Sequence, residues 1–167
     1  MGIKQLKALV VTLLIAAAPA LAEPAFELDG NTLKVPGPVV FATGSAEIST
    51  ESEATLAHVQ AFLEAKKAIT TLRIEGHTAA VGDAAENMKL SQARALAVAR
   101  ALVARGIDCK RLVAVGFGQD KPVAENATPE GRAQNQRIGF VNAALLGRLI
   151  GGMPADGGGL DAGSVCP

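Results

Sequence analysis

Residues 71–106 read TLRIEGHTAAVGDAAENMKLSQARALAVARALVARG, and this pattern predicts a strand, a loop and a long helix. Apolar and polar residues alternate over 71–75, which is the period of a strand with one buried face, and Gly76 ends the alternation. Residues 86–105 instead carry apolar side chains at helical spacing, and Gly106 is a typical helix stop. The segment is therefore predicted to be a strand–loop–helix unit.

Similar patterns continue on both sides of this unit. The further predicted elements are a hairpin or linker over 23–38, a strand at 39–41, a helix over 50–67, a strand at 112–115, a short helix over 129–135, a strand at 137–141, a short helix over 143–151 and a glycine-rich flexible tail over 152–167. Alternating strands and helices predict an α/β sandwich over 39–142, in the order β-α-β-α-β-(short α)-β, with one mixed sheet and helices packed on one face.

Arg94 is the most informative residue of the long helix. The apolar stripe of that helix consists of Leu90, Ala97, Val98, Ala101 and Leu102. At about 100° per residue, Arg94 falls in the middle of this stripe. An unpaired buried charge costs several kcal/mol, so the guanidinium needs either an internal carboxylate or a ligand at a pocket mouth. Alternatively, its aliphatic part packs on the stripe while its charged end reaches solvent.

The first 22 residues have the pattern of a cleavable signal peptide. Lys4 and Lys7 precede an uncharged run of 15 residues over 8–22, which ends in the small-residue sequence Ala-Leu-Ala. A membrane-spanning helix needs about 20 apolar residues. We therefore expect export and cleavage before Glu23; the alternative is an uncleaved membrane anchor. No Cys stands directly after the run, so we expect no lipid anchor on the mature chain. We also expect no transmembrane span in the mature chain.

The charge balance and the aromatic content limit the classes of molecule that the protein is expected to bind. Removing Lys4 and Lys7 from the 16 basic residues leaves 14, against 16 acidic residues. Nucleic-acid-binding proteins show a basic excess that is absent here, so we expect no nucleic-acid partner. The chain has no Trp or Tyr. A carbohydrate partner would therefore be held by polar contacts.

The titratable residues do not suggest an enzyme. His58 and His77 are the two histidines of the chain, and no acid–His–nucleophile set can be built around them. A zinc site needs three or four ligands, which the sequence does not bring together. We therefore predict a protein without catalytic activity, metal site or cofactor.

Cys109 and Cys166 are the two cysteines of the chain. In an exported protein an even number of cysteines favours a disulfide. The bridge would close a loop of about 58 residues, worth roughly 4 kcal/mol in chain entropy. The alternative is two separate thiols, because Cys166 is the penultimate residue of the predicted flexible tail.

An ordered set of short motifs spans residues 39–142. The motifs are Phe41-x-x-Gly44-Ser45-Ala46-x-Ile48, Gly76-His77-Thr78, Gly82, Asn87, Leu90-Ser91-x-x-Arg94-Ala95, Gly116-Phe117-Gly118, Pro122, Asn126 and Gly131-Arg132-Ala133-x-Asn135-x-Arg137. Their order and spacing resemble the OmpA-like C-terminal domain shared by the outer-membrane protein OmpA, the peptidoglycan-associated lipoprotein and the flagellar stator protein MotB. The resemblance implies the sandwich fold and non-covalent peptidoglycan binding in the periplasm or at the outer membrane.

The resemblance also implies a ligand site. Relatives grip the diaminopimelate of the peptidoglycan stem peptide, and the residue that takes its carboxylate in a fork-shaped pair corresponds to Arg94. Backbone groups near Thr78 and Ala79 and the side chain of Asn87 are expected to assist. In the family motif Gly-His-Thr-Asp, the Asp takes the ammonium group, and here Ala79 stands in its place. Gln136 likewise replaces a second Arg of the last motif.

Three interpretations of Ala79 remain open. Asp83 or Glu86, in the same loop, supplies the missing carboxylate. Alternatively, the pocket accepts a different stem-peptide residue or binds more weakly. In the third interpretation the domain has lost wall binding and serves as a protein–protein interaction module in an envelope complex.

Overall fold

The computed structural model describes residues 25–167, which form a mixed sheet with helices packed against it. The elements in chain order are β1 (Leu28–Asp29), β2 (Thr32–Leu33), α1 (Glu53–Ala65), β3 (Ile69–Gly76), α2 (Ala84–Ala104), β4 (Leu112–Gly116), α3 (Pro129–Asn135), β5 (Ile138–Leu145), β6 (Arg148–Leu149) and β7 (Leu160–Asp161). The predicted α/β sandwich is confirmed. The predicted signal peptide over 1–22 lies outside the described residues.

β3 is the central strand of the sheet. The strand order is β1-β2-β5-β3-β4-β7, and β6 pairs with β5. β3 runs parallel to β4 and antiparallel to β5. Leu72 and Ile74 of β3 are fully buried in the hydrophobic core, while Arg73 and Glu75 alternate to the other face of the sheet.

The hydrophobic core lies between the sheet and the helices α1 and α2. Its main contributors are Leu56, Val59, Phe62, Leu63, Leu72, Ile74, Ala95, Val98, Ala99, Leu102, Leu112, Ala114 and Phe140. α2 packs across β3 and β4. The approach is so close that a Cβ on Gly76 would overlap the carbonyl oxygen of Ser91. The absence of a side chain at Gly76 therefore sets how near α2 lies to the sheet.

Residues 39–41, predicted as the first strand of the sheet, lie outside it. Phe41 forms an isolated antiparallel bridge with Ile48. The place beside β5 is taken by β2, where Thr32 pairs with Val141. The hairpin predicted within 23–38 forms as β1 and β2 and extends the sheet, so the position beside β5 is not available to residues 39–41.

The helix predicted over 143–151 does not form. β5 continues to Leu145, the chain reverses at Leu146 and Gly147, and β6 pairs back onto β5. Residues 150–152 add a single turn of 3-10 helix. The reversal is possible because Gly147 adopts a φ of 76°, which is left-handed and stops a helix.

The prediction of a flexible tail over 152–167 is wrong. β7 pairs antiparallel with β4, and residues 155–159 pack on the face of the sheet that carries Arg73, opposite the helices. Arg73 Nη1 donates to the carbonyl of Ala155 at 3.2 Å. Gly157, with a φ of 60°, lies against the Arg73 guanidinium so closely that a Cβ would overlap it. The glycines therefore permit close packing here, whereas their number alone had suggested disorder.

A disulfide joins Cys109 to Cys166, with 5.1 Å between the two Cα atoms. This is the pairing that the sequence favoured. Cys109 precedes β4, so the disulfide attaches the end of the tail to the chain just before β4.

Candidate functional site

The loops after β3 and β4 meet the start of β5 at one edge of the sheet. β3 and β4 are parallel, so their carboxyl ends share this edge, and antiparallel β5 begins there. His77 N donates to Arg137 O at 3.0 Å, and Thr78 N donates to Gly118 O at 2.8 Å. Two adjacent cavities, of about 260 and 220 Å³, open at this edge.

The two cavities share one wall. Arg94 and Gln136 line both of them. The larger cavity also contains Phe41, His77 and Arg137, and the smaller one contains Thr78, Ala79 and Asn87. Neither cavity is lined by an Asp or a Glu of the described chain. The site is therefore rich in hydrogen-bond donors and suited to an anionic group.

Arg94 is held in place at its Nε. This atom donates to the carbonyl oxygen of Ser45 at 2.9 Å, and the guanidinium carbon lies 4.9 Å from the centre of the Phe41 ring. The residue is only 9% exposed. Between residues 25 and 167, no carboxylate oxygen lies within 4.0 Å of the guanidinium, and Nη1 and Nη2 have no acceptor. Of the alternatives for Arg94, the internal carboxylate is thus excluded for this part of the chain.

Burial lowers the pKa of Arg94 below its ordinary value. A guanidinium nevertheless stays protonated in proteins. The result is a fixed, largely buried positive charge whose Nη1 and Nη2 groups remain free to donate, which is the arrangement that a carboxylate ligand would complete.

Arg137 places a second cation in the larger cavity. Its Nη2 donates to Lys121 O at 3.2 Å, and its Nη1 donates to Asn135 O at 3.4 Å. Burial lowers its pKa, and the nearby Glu75 carboxylate partly offsets that effect. No role for Arg137 was predicted from the sequence, although it closes the last of the family motifs and could have been found there.

His77 is buried at the floor of the larger cavity. Its ring stacks on Phe117 with 5.3 Å between centres, and its Nε2 lies 3.3 Å from Glu75 Oε2. Burial lowers the pKa of His77, and this effect outweighs the hydrogen bond to Glu75, which raises it. Its Nδ1 has no partner in the described part of the chain. The ring is therefore neutral near pH 7 and adds no charge to the site.

Asn87 supports the loop that carries Thr78 and Ala79. Its Nδ2 donates to Val81 O at 2.9 Å, to Gln119 Oε1 at 3.1 Å and to Ala79 O at 3.4 Å. The Thr78 hydroxyl oxygen is buried and has no partner among the described residues. Asn87 thus positions the loop, and Thr78 keeps a hydrogen-bonding group unused beside the smaller cavity.

A model of the OmpA family matches residues 40–136, which is more than half of the chain. The chain belongs to the OmpA family. Two curated relatives illustrate this OmpA-family membership. The probable lipoprotein YiaD of Escherichia coli is 37% identical over 110 residues, covering 66% of this chain and 50% of YiaD. The peptidoglycan-binding protein ArfA of Mycobacterium bovis is 38% identical over 105 residues, covering 63% of this chain and 32% of ArfA.

A solved structure shows the same OmpA-family fold. The peptidoglycan-associated lipoprotein from Burkholderia pseudomallei is 30% identical with a TM-score of 0.56, covering 65% of this chain and 89% of that chain. By contrast, the matched segment spans half or less of the length of YiaD and ArfA. The predicted resemblance to the OmpA-like domain is confirmed.

The two acids predicted as substitutes for the family Asp do not line this OmpA-family site. Asp83 Oδ1 accepts a hydrogen bond from Glu86 N at 2.9 Å and so caps the first turn of α2. The Glu86 carboxylate is exposed and pairs with Lys89 at 2.9 Å. Ala79 itself is buried against the smaller cavity. The structure therefore brings Arg94, Thr78, Ala79 and Asn87 together and leaves Asp83 at the helix end.

This site offers hydrogen-bonding and positively charged groups to a ligand. Its polar groups are two guanidinium ions, a hydroxyl, amides and a neutral imidazole, and none of them forms a nucleophile–base pair. Within residues 25–167, no group of three or more His, Cys, Asp or Glu side chains is placed to hold a metal ion.

Proposed function

We propose that this chain is a non-catalytic peptidoglycan-binding protein of the cell envelope, in which Arg94 holds a carboxylate of the stem peptide. The observation that carries the proposal is the buried guanidinium of Arg94, which faces two cavities and has no carboxylate partner in the described chain. Membership of the OmpA family supports the choice of ligand, since ArfA is named as peptidoglycan-binding.

The orientation of Arg94 suits a fork-shaped contact. Its Nε is occupied by Ser45 O, so the guanidinium plane is fixed before a ligand arrives. Nη1 and Nη2 remain available for the two oxygens of a carboxylate. Arg137 adds positive potential from the larger cavity. A diaminopimelate carboxylate would thus meet a preorganised, electropositive wall.

The ammonium end of diaminopimelate meets a weaker partner. Ala79 offers a methyl group where the family carries a carboxylate, and no acid lines either cavity of the described chain. The Thr78 hydroxyl oxygen is the unpartnered acceptor at this position. A neutral hydroxyl accepts a hydrogen bond from an ammonium but does not neutralise its charge. We therefore propose a weaker interaction with the stem peptide than in relatives that keep the Asp.

We also propose that the protein works in the periplasm or in association with the outer membrane. The pattern over 1–22 is that of a secretory leader, and a disulfide forms at Cys109 and Cys166. Relatives include a probable lipoprotein, YiaD. In the described part of the chain, no helix combines the length and apolarity that a membrane crossing requires.

Co-sedimentation with purified sacculi tests the proposal. We expect the exported protein to pellet with sacculi and Arg94→Ala to bind at least about 30-fold more weakly, because the ligand carboxylate loses its charged partner. Arg148→Ala is the matched control, since Arg148 is an exposed arginine far from the cavities along the sheet. Undiminished binding by Arg94→Ala would contradict the proposed contact.

A protein–protein interaction module is the second candidate function. The observation that favours it is Ala79, which removes the ammonium partner of the family site. In this case the protein would fail to pellet with sacculi, and cross-linking in intact cells would recover a defined envelope protein. The sacculus assay distinguishes the two candidate functions, because the protein either pellets with sacculi or does not. It should therefore be done before the cross-linking experiment.

A further inference from the structure

The hairpin of β5 and β6 presents leucine side chains to solvent. Leu145, Leu146 and Leu149 are 43%, 73% and 49% exposed. Leu28 of β1 is 45% exposed and, together with Leu145, lines an apolar groove of about 450 Å³. Leu149 pairs with Ala144, so it faces the opposite side of the hairpin from Leu145. We call Leu28, Leu145 and Leu146 the hairpin patch. Clustered exposed apolar groups on a folded protein typically mark a surface for a partner or a membrane.

Leu146 occupies a backbone conformation that suits other residue types. Leu146 and Gly147 form the two-residue turn between the paired residues Leu145 and Arg148, with φ values of 50° and 76°. Positive φ at both positions is typical of a type I′ turn, which prefers Asn, Asp or Gly at its first position. In residues 25–167, Leu146 is the sole non-glycine residue with positive φ. Its exposed side chain has little internal packing to offset this cost.

The tip of the hairpin is nevertheless held firmly. Leu146 N donates to Ala68 O at 2.8 Å, and Gly147 N donates to Thr70 Oγ1 at 2.9 Å. These two hydrogen bonds fix the turn against Ala68, which precedes β3, and against Thr70, the second residue of β3. A leucine on a fixed turn loses little conformational entropy when it enters a partner, so the geometry favours docking.

The charges around the hairpin patch are basic. Lys66 and Lys67 line the apolar groove, Arg148 starts β6, and no acid of the described chain lines the groove. Glu27 and Asp29 flank the leucine of β1 and alternate to the opposite face of the strand. An apolar tip with a cationic rim is complementary to an anionic lipid surface. Leucine side chains insert at the boundary of the acyl chains, and lysine side chains pair with the lipid phosphates.

We propose that the hairpin patch docks this protein on an anionic phospholipid bilayer, with Leu146 as the most deeply inserted side chain. The hairpin lies at the Ile69 end of β3, where Leu145 pairs with Ile69, whereas the Arg94 cavities lie beyond Gly76 at the other end. At about 3.3 Å per residue, the eight-residue strand separates the two by roughly 25 Å. Membrane docking would thus leave the cavities free, and it does not depend on what they bind.

Vesicle sedimentation tests this proposal with the protein as recovered from exporting cells. We expect binding to vesicles of phosphatidylglycerol and phosphatidylcholine and about tenfold weaker binding by Leu146→Asn, since one leucine is withdrawn from the acyl boundary. Asn suits a positive φ, so this variant should fold at least as well as the parent. Leu160→Asn is the matched control, because Leu160 is 55% exposed on β7, at the far edge of the sheet.

Two further measurements complete the test. The double variant Lys66→Glu, Lys67→Glu should bind anionic vesicles at least about tenfold more weakly. The parent chain contains no Trp, so Leu146→Trp provides a single reporter whose fluorescence should shift to the blue with anionic vesicles. Equal binding to pure phosphatidylcholine, or equal losses in Leu146→Asn and Leu160→Asn, would overturn the proposal. So would a concentration-dependent dimer that Leu146→Asn abolishes, since a second copy would then be the occupant.

Discussion

Arg94 Nε donates to the carbonyl oxygen of Ser45 at 2.9 Å, across 49 positions of sequence. The bond ties the middle of α2 to the loop that precedes α1. It also decides which side of the guanidinium faces inward and which side faces the cavities. The charge that falls within the apolar stripe of α2 thus has a fixed orientation, with Nη1 and Nη2 on the side of the cavities.

Arg94→Lys separates charge from geometry at this position. A lysine keeps the positive charge, but its single nitrogen cannot donate to Ser45 and also form a two-pronged contact with a carboxylate. We expect binding to sacculi to fall by about tenfold or more, with little change in thermal stability. Wild-type affinity in this variant, measured beside Arg94→Ala, would show that charge alone suffices.

Ala79→Asp tests the ammonium side of the site. The substitution puts a carboxylate on the wall of the smaller cavity, which Arg94 also lines. We expect tighter binding of a diaminopimelate-containing muropeptide by isothermal titration, together with a lower melting temperature because position 79 is buried. Ala80→Asp is the control, since Ala80 is exposed and lines neither cavity. No gain in affinity at position 79 would contradict the proposed weak binding.

Gly76→Ala should be strongly destabilising. The added Cβ would overlap the Ser91 carbonyl oxygen, so α2 must move away from the sheet. We expect a loss of about 3 kcal/mol in the free energy of unfolding, measured by urea denaturation. Gly37→Ala is the matched control, because its Cβ would have 3.8 Å to the nearest atom, Thr55 Oγ1. Equal stabilities of the two variants would refute the close-packing explanation.

His77 should make stability depend on pH. Burial lowers its pKa below the ordinary value of 6.5, so the unfolded chain takes up the proton more readily than the folded chain. The stabilisation is fully present above pH 6.5 and is lost as pH falls towards the folded-state pKa. We expect the urea concentration at the midpoint of unfolding to decrease as the pH is lowered from 7.5 to 5.5. His77→Gln should reduce this dependence of stability on pH. An unchanged slope in His77→Gln would assign the effect to other groups.

Cys166→Ser should release the tail from the edge of the sheet. The disulfide constrains the unfolded chain over a sequence separation of 57 residues, which corresponds to about 4 kcal/mol in the chain-entropy model. We expect the variant to lose about that much free energy of unfolding. The wild-type protein in reducing buffer should show the same loss. A reducing agent should have no further effect on the variant. If reduction leaves wild-type stability unchanged, the tail is held by β7 alone.

Local patterns in the sequence predicted those elements that are determined by the spacing of apolar and polar residues within the element itself. The alternation over 71–75 and the apolar stripe around Arg94 describe β3 and α2 closely. The helix predicted over 143–151 was wrong, because these residues belong to the end of β5 and its hairpin with β6. A short apolar run fits either period, and only the pairing with β3 decides between them.

The sequence by itself determined the alternation of elements, the family and the presence of a cation in an apolar stripe, because each depends on residue type and spacing alone. The tertiary structure decided which atoms meet. It placed Ser45 and Arg137 beside Arg94, assigned Asp83 to a helix cap, and packed the glycine-rich tail on Arg73. These outcomes join residues distant in sequence, so they depend on the register of the sheet and on close packing, which local periodicity does not encode.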